Sequence, residues 1–365
     1  MTATFAELTS LAVGGPARQL VRAVERDQLI SAVREAWDRA DDWMVLGGGS
    51  NVVVSDEGFD GPVVLVATRG IELLGASDSG SRIVRVQAGE PWDAVVAYAV
   101  GHGLAGIEAL SGIPGSSGAA PIQNIGAYGQ ELGSRLIAVE FLDHDTGSLE
   151  RIPVGELQLG YRTSVFKQGR LGLVVSIELE LAEQPLSDPV AYAQLATALG
   201  VQLGDRVPLS ALRAAVLELR SSKGMVLSPA DPDSVSAGSF FTNPVVSENF
   251  ARALPTDAPR WPLEAEAPPQ VLPLGADVPE ASALGIQHRV KLSAAWLIEQ
   301  VGIRRGFSLP GSKAAISGKH TLAIVNTGGA SAVEVAELAR YVRQRVGNDF
   351  GIELQPEPVL VGIQL

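Results

Sequence analysis

The chain predicts an α+β protein of two or three domains, and three observations carry that reading. Its 365 residues are too many for one small core. Apolar runs with strand character alternate with segments of helical period, and no internal repeat is evident. A hydrophobic share of 46% against 19% charged residues is the balance of an ordered globular chain.

Residues 9–23 read as a turn feeding a short strand. Asp27 then serves as the N-cap of a helix running to about Ala40, because Leu29, Ile30, Val33 and Trp37 share one helical face. Residues 43–55, WMVLGGGSNVVVS, give a strand, a glycine-rich turn and a second strand. The lysine and hydroxyl of a P-loop are missing there, which argues against a nucleoside triphosphatase. Residues 71–86 are strand-rich, and Pro91 opens a helix through Val95, Val96 and Ala99. That helix ends in GHGLAG at 101–106, a formal match to GxGxxG. The dinucleotide fingerprint must open a helix, whereas these glycines close one.

Residues 136–142, 147–153 and 171–181 read as strands, and Leu209, Leu212, Val216 and Leu219 mark a helix. Seven prolines across 255–279 remove backbone donors and block regular helix or sheet, which makes that stretch a surface excursion. Beyond it, 294–301 and 332–346 are helical, 321–325 is a strand, and 359–364 is a closing strand.

A net charge of −13 argues against nucleic-acid or anionic-membrane partners, though not against an anionic small molecule held by a few local cations. Without cysteine there is no disulfide and no thiolate chemistry. His102, His144, His288 and His320 lack a metal-ligand spacing, so no metal is expected. No signal-like leader and no apolar run of about 18 residues is present, so the expected location is the cytoplasm.

The most informative stretch is 111–129, SGIPGSSGAAPIQNIGAYG. Gly112, Gly115 and Gly118 let backbone approach a ligand, Ser116 and Ser117 add hydroxyl donors, and Gln123 and Asn124 can pair with the polar edge of a ring. A glycine-rich turn cluster with no ligand would have the same composition. Elsewhere, GSFFTNP at 238–244 sets Ser239 between a flexible glycine and two aromatic residues. Ser239 there is either a desolvated proton donor or a turn cap. YRTSVFK at 161–167 carries Arg162, whose planar fork matches a carboxylate and which could equally be a surface arginine.

Together with GGGSN at 47–51, the 111–129 run resembles the FAD-binding signature of the UDP-N-acetylenolpyruvoylglucosamine reductase family, flavoenzymes of peptidoglycan precursor synthesis. The 161–167 stretch is similar to the family's YRxSxFK box, and 351–359 to its segment ending in Pro-Glu-Val-Arg. The matches run in the family's order from about residue 11 to 357, apart from the proline-rich excursion.

The resemblance implies an α+β fold, with a two-part FAD-binding unit of the vanillyl-alcohol-oxidase/PCMH type and a C-terminal α+β substrate domain. The parts would be 1–68 joined by the strand at 356–365, then 69–220, then 221–355 with the excursion. It implies noncovalent FAD held by Gly47, Gly48, Gly49, Ser50, Asn51, Gly112, Ile113, Pro114, Gly115, Ser116, Gly118, Gln123, Asn124 and Ile125. NADPH would be the co-substrate and a UDP-sugar the substrate, reduced to UDP-N-acetylmuramate by a monomer.

The catalytic residues it implies are Arg162, Ser239 as general acid, and Glu357, with Glu353 as the rival glutamate. Tyr161, Tyr192, Lys223, Asn243 and Gln300 would contact the sugar nucleotide, Tyr192 as the tyrosine covering the diphosphate in the subgroup with the QNIGAYG loop. Two departures stand out: Thr242 replaces the family's usual lysine, and Pro358 follows Glu357. The alternative is another FAD-dependent oxidase or dehydrogenase of this fold acting on a sugar or hydroxy acid. It accounts for the glycines but not for GSFFTNP together with YRTSVFK.

Overall fold

Leu29, Ile30, Val33 and Ala36 lay one apolar stripe along the helix Arg26–Arg39, and two sheets share it. In the computed structural model, which describes residues 2–77, 80–263 and 289–365, the first sheet is three-stranded and parallel. Phe59–Val66 lies at its centre between Ala17–Ala23 and Met44–Leu46. The second sheet has six strands in antiparallel pairs, and Gly172–Glu183 sits in its middle. Leu173 and Val175 of that strand meet the Arg26–Arg39 helix, while Val174, Ile177, Leu179 and Leu181 pack with the helix Trp92–Gly101. Burial on both faces accounts for the apolar run Leu173–Val175, beyond which the strand alternates apolar residues with Ser176, Glu178 and Glu180.

The C-terminal part has a three-stranded antiparallel sheet in which Ala323–Asn326 lies between Ser236–Ser239 and Ala314–Ile316. The helices Ala294–Gln300 and Ala332–Phe350 cover it. Leu11, Val13 and Val53 belong to the same core cluster, so the first and last parts of the chain share buried surface. Two further ties join them. Val359–Val361 pairs in parallel with Val52–Val54. Asp56 accepts hydrogen bonds from the N–H groups of Ala332 and Val333 at 2.8 and 3.0 Å, satisfying two open donors at that helix start.

Several local expectations shift. The N-cap of the first long helix is Glu25, in extended conformation, and Asp27 falls in the first turn, where a carboxylate still complements the helix dipole. The last long helix continues to Phe350 because Gly351, at φ 67°, supplies the left-handed stop. The excursion at 255–279 is not wholly irregular: Arg260–Pro262 is a strand at the edge of a small sheet with Arg289–Leu292 and Val245–Ser247. An edge position tolerates Pro262, since a missing N–H there removes no bond from an interior ladder. Residues 264–279 lie outside the described residues. The GHGLAG glycines close the helix Trp92–Gly101 and open none.

Candidate active site

The turn at 47–51 has to carry the chain between strands that belong to different sheets, and it does so against the loop at 113–116. A Cβ on Gly48 would lie 2.7 Å from the Gly115 Cα, so the two loops touch backbone to backbone. The Ser50 hydroxyl donates to the Pro114 carbonyl at 3.1 Å, and the Trp92 N–H donates to the Gly115 carbonyl at 3.0 Å. These loops form one wall of a cleft of about 550 Å³, a size typical of small-ligand sites.

The facing wall is assembled from distant sequence. Beyond the strand Ser236–Ser239, the Phe240 carbonyl accepts the Glu357 N–H at 2.8 Å, and the Thr242 N–H donates to the Gln355 carbonyl at 3.0 Å. This pairing brings GSFFTNP alongside the C-terminal ELQPEPV segment, with Phe240 and Phe241 buried beneath it. The Thr242 hydroxyl faces the same Gln355 carbonyl at 3.4 Å, so it reinforces the pairing. Pro358 is buried, and the next residue, Val359, donates its N–H to the Asn51 carbonyl at 3.0 Å.

Glu357 lies where the walls meet. Its carboxylate stands 3.4 Å from the Arg162 Nε and accepts from the Gln123 amide at 3.4 Å, while Asn51 donates to Gln123 at 2.9 Å. Burial pushes the Glu357 carboxyl above its ordinary value, against the opposing pull of Arg162 and Lys167. Arg162 adopts φ 55°, an unfavourable backbone for a side-chain-bearing residue. Its guanidinium is held by the carbonyls of Asn124 at 3.4 Å and Gly126 at 3.1 Å, so its direction into the cleft is fixed. Glu353, by contrast, pairs with Arg343 at the surface.

Of the residues singled out in the sequence, Gly47, Gly48, Gly49, Ser50, Asn51, Ile113, Pro114, Gly115, Ser116, Gln123, Ile125, Arg162, Ser239 and Glu357 all line this cleft. Gly112, Gly118 and Asn124 stand behind it. A Cβ on Gly118 would lie 2.5 Å from the Ala88 Cβ, and Gly112 gives its N–H to Asp93 at 2.6 Å. Asn124 is engaged inside the protein, donating to Glu131 and the Gly160 carbonyl and accepting from the Gly133 N–H.

Tyr192 and Lys223 come together around Tyr128. The two tyrosine rings meet edge to face at 5.6 Å, and the Lys223 ammonium lies 5.7 Å from the Tyr128 ring centroid. Tyr161 meets Asn243, whose carboxamide also accepts the Ala294 N–H at 2.9 Å. Gln300 is exposed at the end of its helix, outside the cleft lining.

The family model of the UDP-N-acetylenolpyruvoylglucosamine reductase C-terminal domain matches residues 231–361, and that of an FAD binding domain matches residues 17–152. A UDP-N-acetylenolpyruvoylglucosamine reductase of Leifsonia xyli subsp. xyli is 59% identical, over 98% of each chain. The chain belongs to the UDP-N-acetylenolpyruvoylglucosamine reductase family.

It is therefore an FAD-dependent oxidoreductase. A family member from Salinispora arenicola is 46% identical, over 98% of this chain and 94% of its own. The crystal structure of the Thermus caldophilus reductase superposes with a TM-score of 0.63 at 26% identity, covering 99% of this chain and 98% of that one.

For a member of this family, the residues present suit FAD. The loop wall offers backbone closely approachable through glycine, and Trp92, Ile122, Ile125 and Phe166 give the cleft apolar surface for a ring. Sequence reasoning missed Arg220, which lines the cleft and is 9% exposed. One of its terminal nitrogens donates to the Met225 carbonyl at 2.9 Å, yet its buried Nε has no partner among the described residues. Such a group is costly without an acceptor and suits an anionic or carbonyl oxygen of a ligand. Lys167, the last residue of YRTSVFK, also lines the cleft. With Arg162, Arg220 and Lys167 facing one carboxylate, the cleft is locally cationic within a chain of net charge −13.

Proposed function

We propose that this chain reduces the enolpyruvyl ether of UDP-N-acetylglucosamine to UDP-N-acetylmuramate with electrons from NADPH, with Ser239 supplying the proton. The reaction serves peptidoglycan precursor synthesis, the role of the family to which the chain belongs. The single observation that carries the assignment is the convergence of Arg162, Glu357 and Ser239 on the cleft bounded by the two glycine-bearing loops. Bound FAD supplies the hydride carrier that couples NADPH oxidation to reduction of the double bond.

The chain's own residues do the rest. Arg162 binds the substrate carboxylate with a planar, permanently charged fork and offsets the negative charge that develops when the double bond accepts hydride. Glu357 holds Arg162 in place and orients the carboxylate. Ser239 then gives its hydroxyl proton to the carbanionic carbon, a base strong enough to take it from a weak acid. Tyr192 and Lys223, gathered around Tyr128, form a second station suited to the nucleotide diphosphate.

We further infer that the protein works as a cytoplasmic monomer. Among the described residues no helix is long and apolar enough to cross a membrane. The decisive experiment is a visible spectrum of the purified protein followed by acid precipitation. A yellow protein that releases free FAD, and whose flavin is bleached by NADPH and restored by the enolpyruvyl sugar nucleotide, is the expected result. A colourless protein that takes up no added FAD overturns the proposal.

A further inference from the structure

His320 is the one histidine among those described that touches the cleft constellation, and its position is built with care. It lies in the turn between the strands Ala314–Ile316 and Ala323–Asn326, with its Nε2 3.4 Å from the Ser239 hydroxyl. Contacts of this length between catalytic groups tighten when substrate is bound. Ser317 fixes the turn by accepting the N–H groups of Lys319 and His320 at 3.0 and 3.2 Å, while donating to Asp233 at 2.7 Å. The His320 carbonyl accepts the Ala323 N–H at 3.0 Å, and Ala323 is the residue paired with Ser239 across the sheet. The ring therefore sits on a pinned turn that leads into the strand paired with that of Ser239, with little freedom left to lose when ring and hydroxyl meet.

The ring is held neutral. Burial pushes His320 down to about 4, helped by the positive charges of Lys223, Arg305 and Arg220. The nearby carboxylates are already engaged: Asp233 with Ser317 and Gly318, Asp231 with Lys319. A neutral imidazole has one N–H and one lone pair, so the direction of the contact with Ser239 depends on the tautomer. If Nε2 accepted, the serine proton would point at the ring and away from the cleft.

We propose that His320 is a positioning residue for proton delivery, its Nε2–H donating to the Ser239 oxygen so that the serine's own proton points into the cleft. In the transfer the Ser239 O–H bond breaks and its electron pair stays on oxygen, supported by the His320 N–H. The proton joins the lone pair of the substrate carbanion to form the new C–H bond. The serine oxygen regains a proton from solvent as product leaves, and His320 stays neutral throughout. This inference rests on the reading of Ser239 as the acid.

The test uses the full-length flavin-loaded protein with His320→Leu, His320→Gln and Ser239→Ala. Steady-state turnover is measured, together with single-turnover product formation from prereduced enzyme in H2O and D2O. His320→Leu is expected to lower kcat roughly 10- to 100-fold with KM within about twofold of wild type, a loss below that of a direct oxyanion donor. NADPH should bleach its flavin at the wild-type rate, and the solvent isotope effect on product formation should rise as proton transfer becomes limiting. His320→Gln, whose amide N–H can replace the ring donor, should recover most of the rate.

Wild-type kcat in His320→Leu, or a raised KM at unchanged kcat, overturns the inference. If the leucine variant does not fold, the glutamine variant decides: a rate as low as that of Ser239→Ala means that a donor in this place is not what matters. Failure of the underlying reading is distinguishable, because Ser239→Ala would then itself turn over at the wild-type rate.

Discussion

The loop wall of the cleft, residues 47–51 and 113–116, carries no ionisable side chain, whereas the facing side presents Arg162, Lys167, Arg220 and Glu357. One wall acts through backbone and needs only that side chains be absent; the other acts through charge and needs each group aimed. The contrast matches the two ligands proposed for the cleft. A cofactor that stays bound is held by shape and close approach, while a substrate that gains charge during reaction needs fixed charges that respond to it. The walls should therefore fail differently when altered.

The largest effect is expected on the charged side. Ser239→Ala should lower substrate-driven flavin reoxidation by roughly 10²- to 10⁴-fold, the usual loss for a positioned acid. NADPH should still bleach the flavin in that variant, because hydride arrival needs no serine proton. Stopped-flow traces of the two half-reactions separate these outcomes, and wild-type reoxidation would leave Ser239 a strand-end residue with no part in the chemistry. Arg162→Lys comes next, with reoxidation slower by about 10- to 10²-fold, since ammonium keeps the charge but loses the fork. An equal slowing of both half-reactions would show that Arg162 serves the whole site and not the substrate.

On the loop wall the readout is binding. A Cβ on Gly48 meets the Gly115 Cα at 2.7 Å and the Ser116 nitrogen at 3.1 Å, all backbone that cannot turn aside. Overpacking of that kind costs about 1–3 kcal/mol, so Gly48→Ala should weaken FAD binding roughly 5- to 150-fold. The flavin-saturated variant should reoxidise with substrate at close to the wild-type rate. Unchanged FAD affinity, measured by fluorescence titration of the apoprotein, would count against this loop as a cofactor wall.

The smallest effect is one of stability. Because the Glu357 carboxyl titrates above its ordinary 4.5, the folded protein holds that proton more tightly than the unfolded chain. Stability falls as pH rises from the ordinary value through the raised one, and the loss persists above it. Glu357→Gln has no such proton, so its thermal midpoint at pH 7 to 8 should equal or exceed that of wild type. A lower midpoint, with no change in the pH slope, would mean that the Arg162 pair contributes more than burial costs.

How much of this was legible depended on distance along the chain. GGGSN and the 111–129 run announced a backbone cradle because glycines act through their own residue. The helix with Leu29, Ile30 and Val33 was equally visible, since its stripe follows from a 3.6-residue period. The helix Ala193–Leu199 escaped notice because AQLATAL has only two large apolar residues, Leu195 and Leu199, too few to mark a face. Arg220 also escaped: in ArgSerSerLys it looks like any cation in the last turn of a helix, and the lack of an Nε partner among the described residues exists only once the cleft is formed.

The sequence alone determined the residue types that could bind and react, and their order marked the family. Tertiary structure decided which of them meet. The resemblance already favoured Glu357 over Glu353; folding added the backbone pairing between Phe240 and Glu357, which turns one glutamate into the cleft and leaves the other beside Arg343. His320 reached Ser239 only because two strands of one sheet lie side by side. The physical reason is that glycine conformation and helical period are local properties, carried by neighbours in the chain. Burial, charge pairing and the direction of a hydrogen bond depend on groups that only folding brings within a few ångströms.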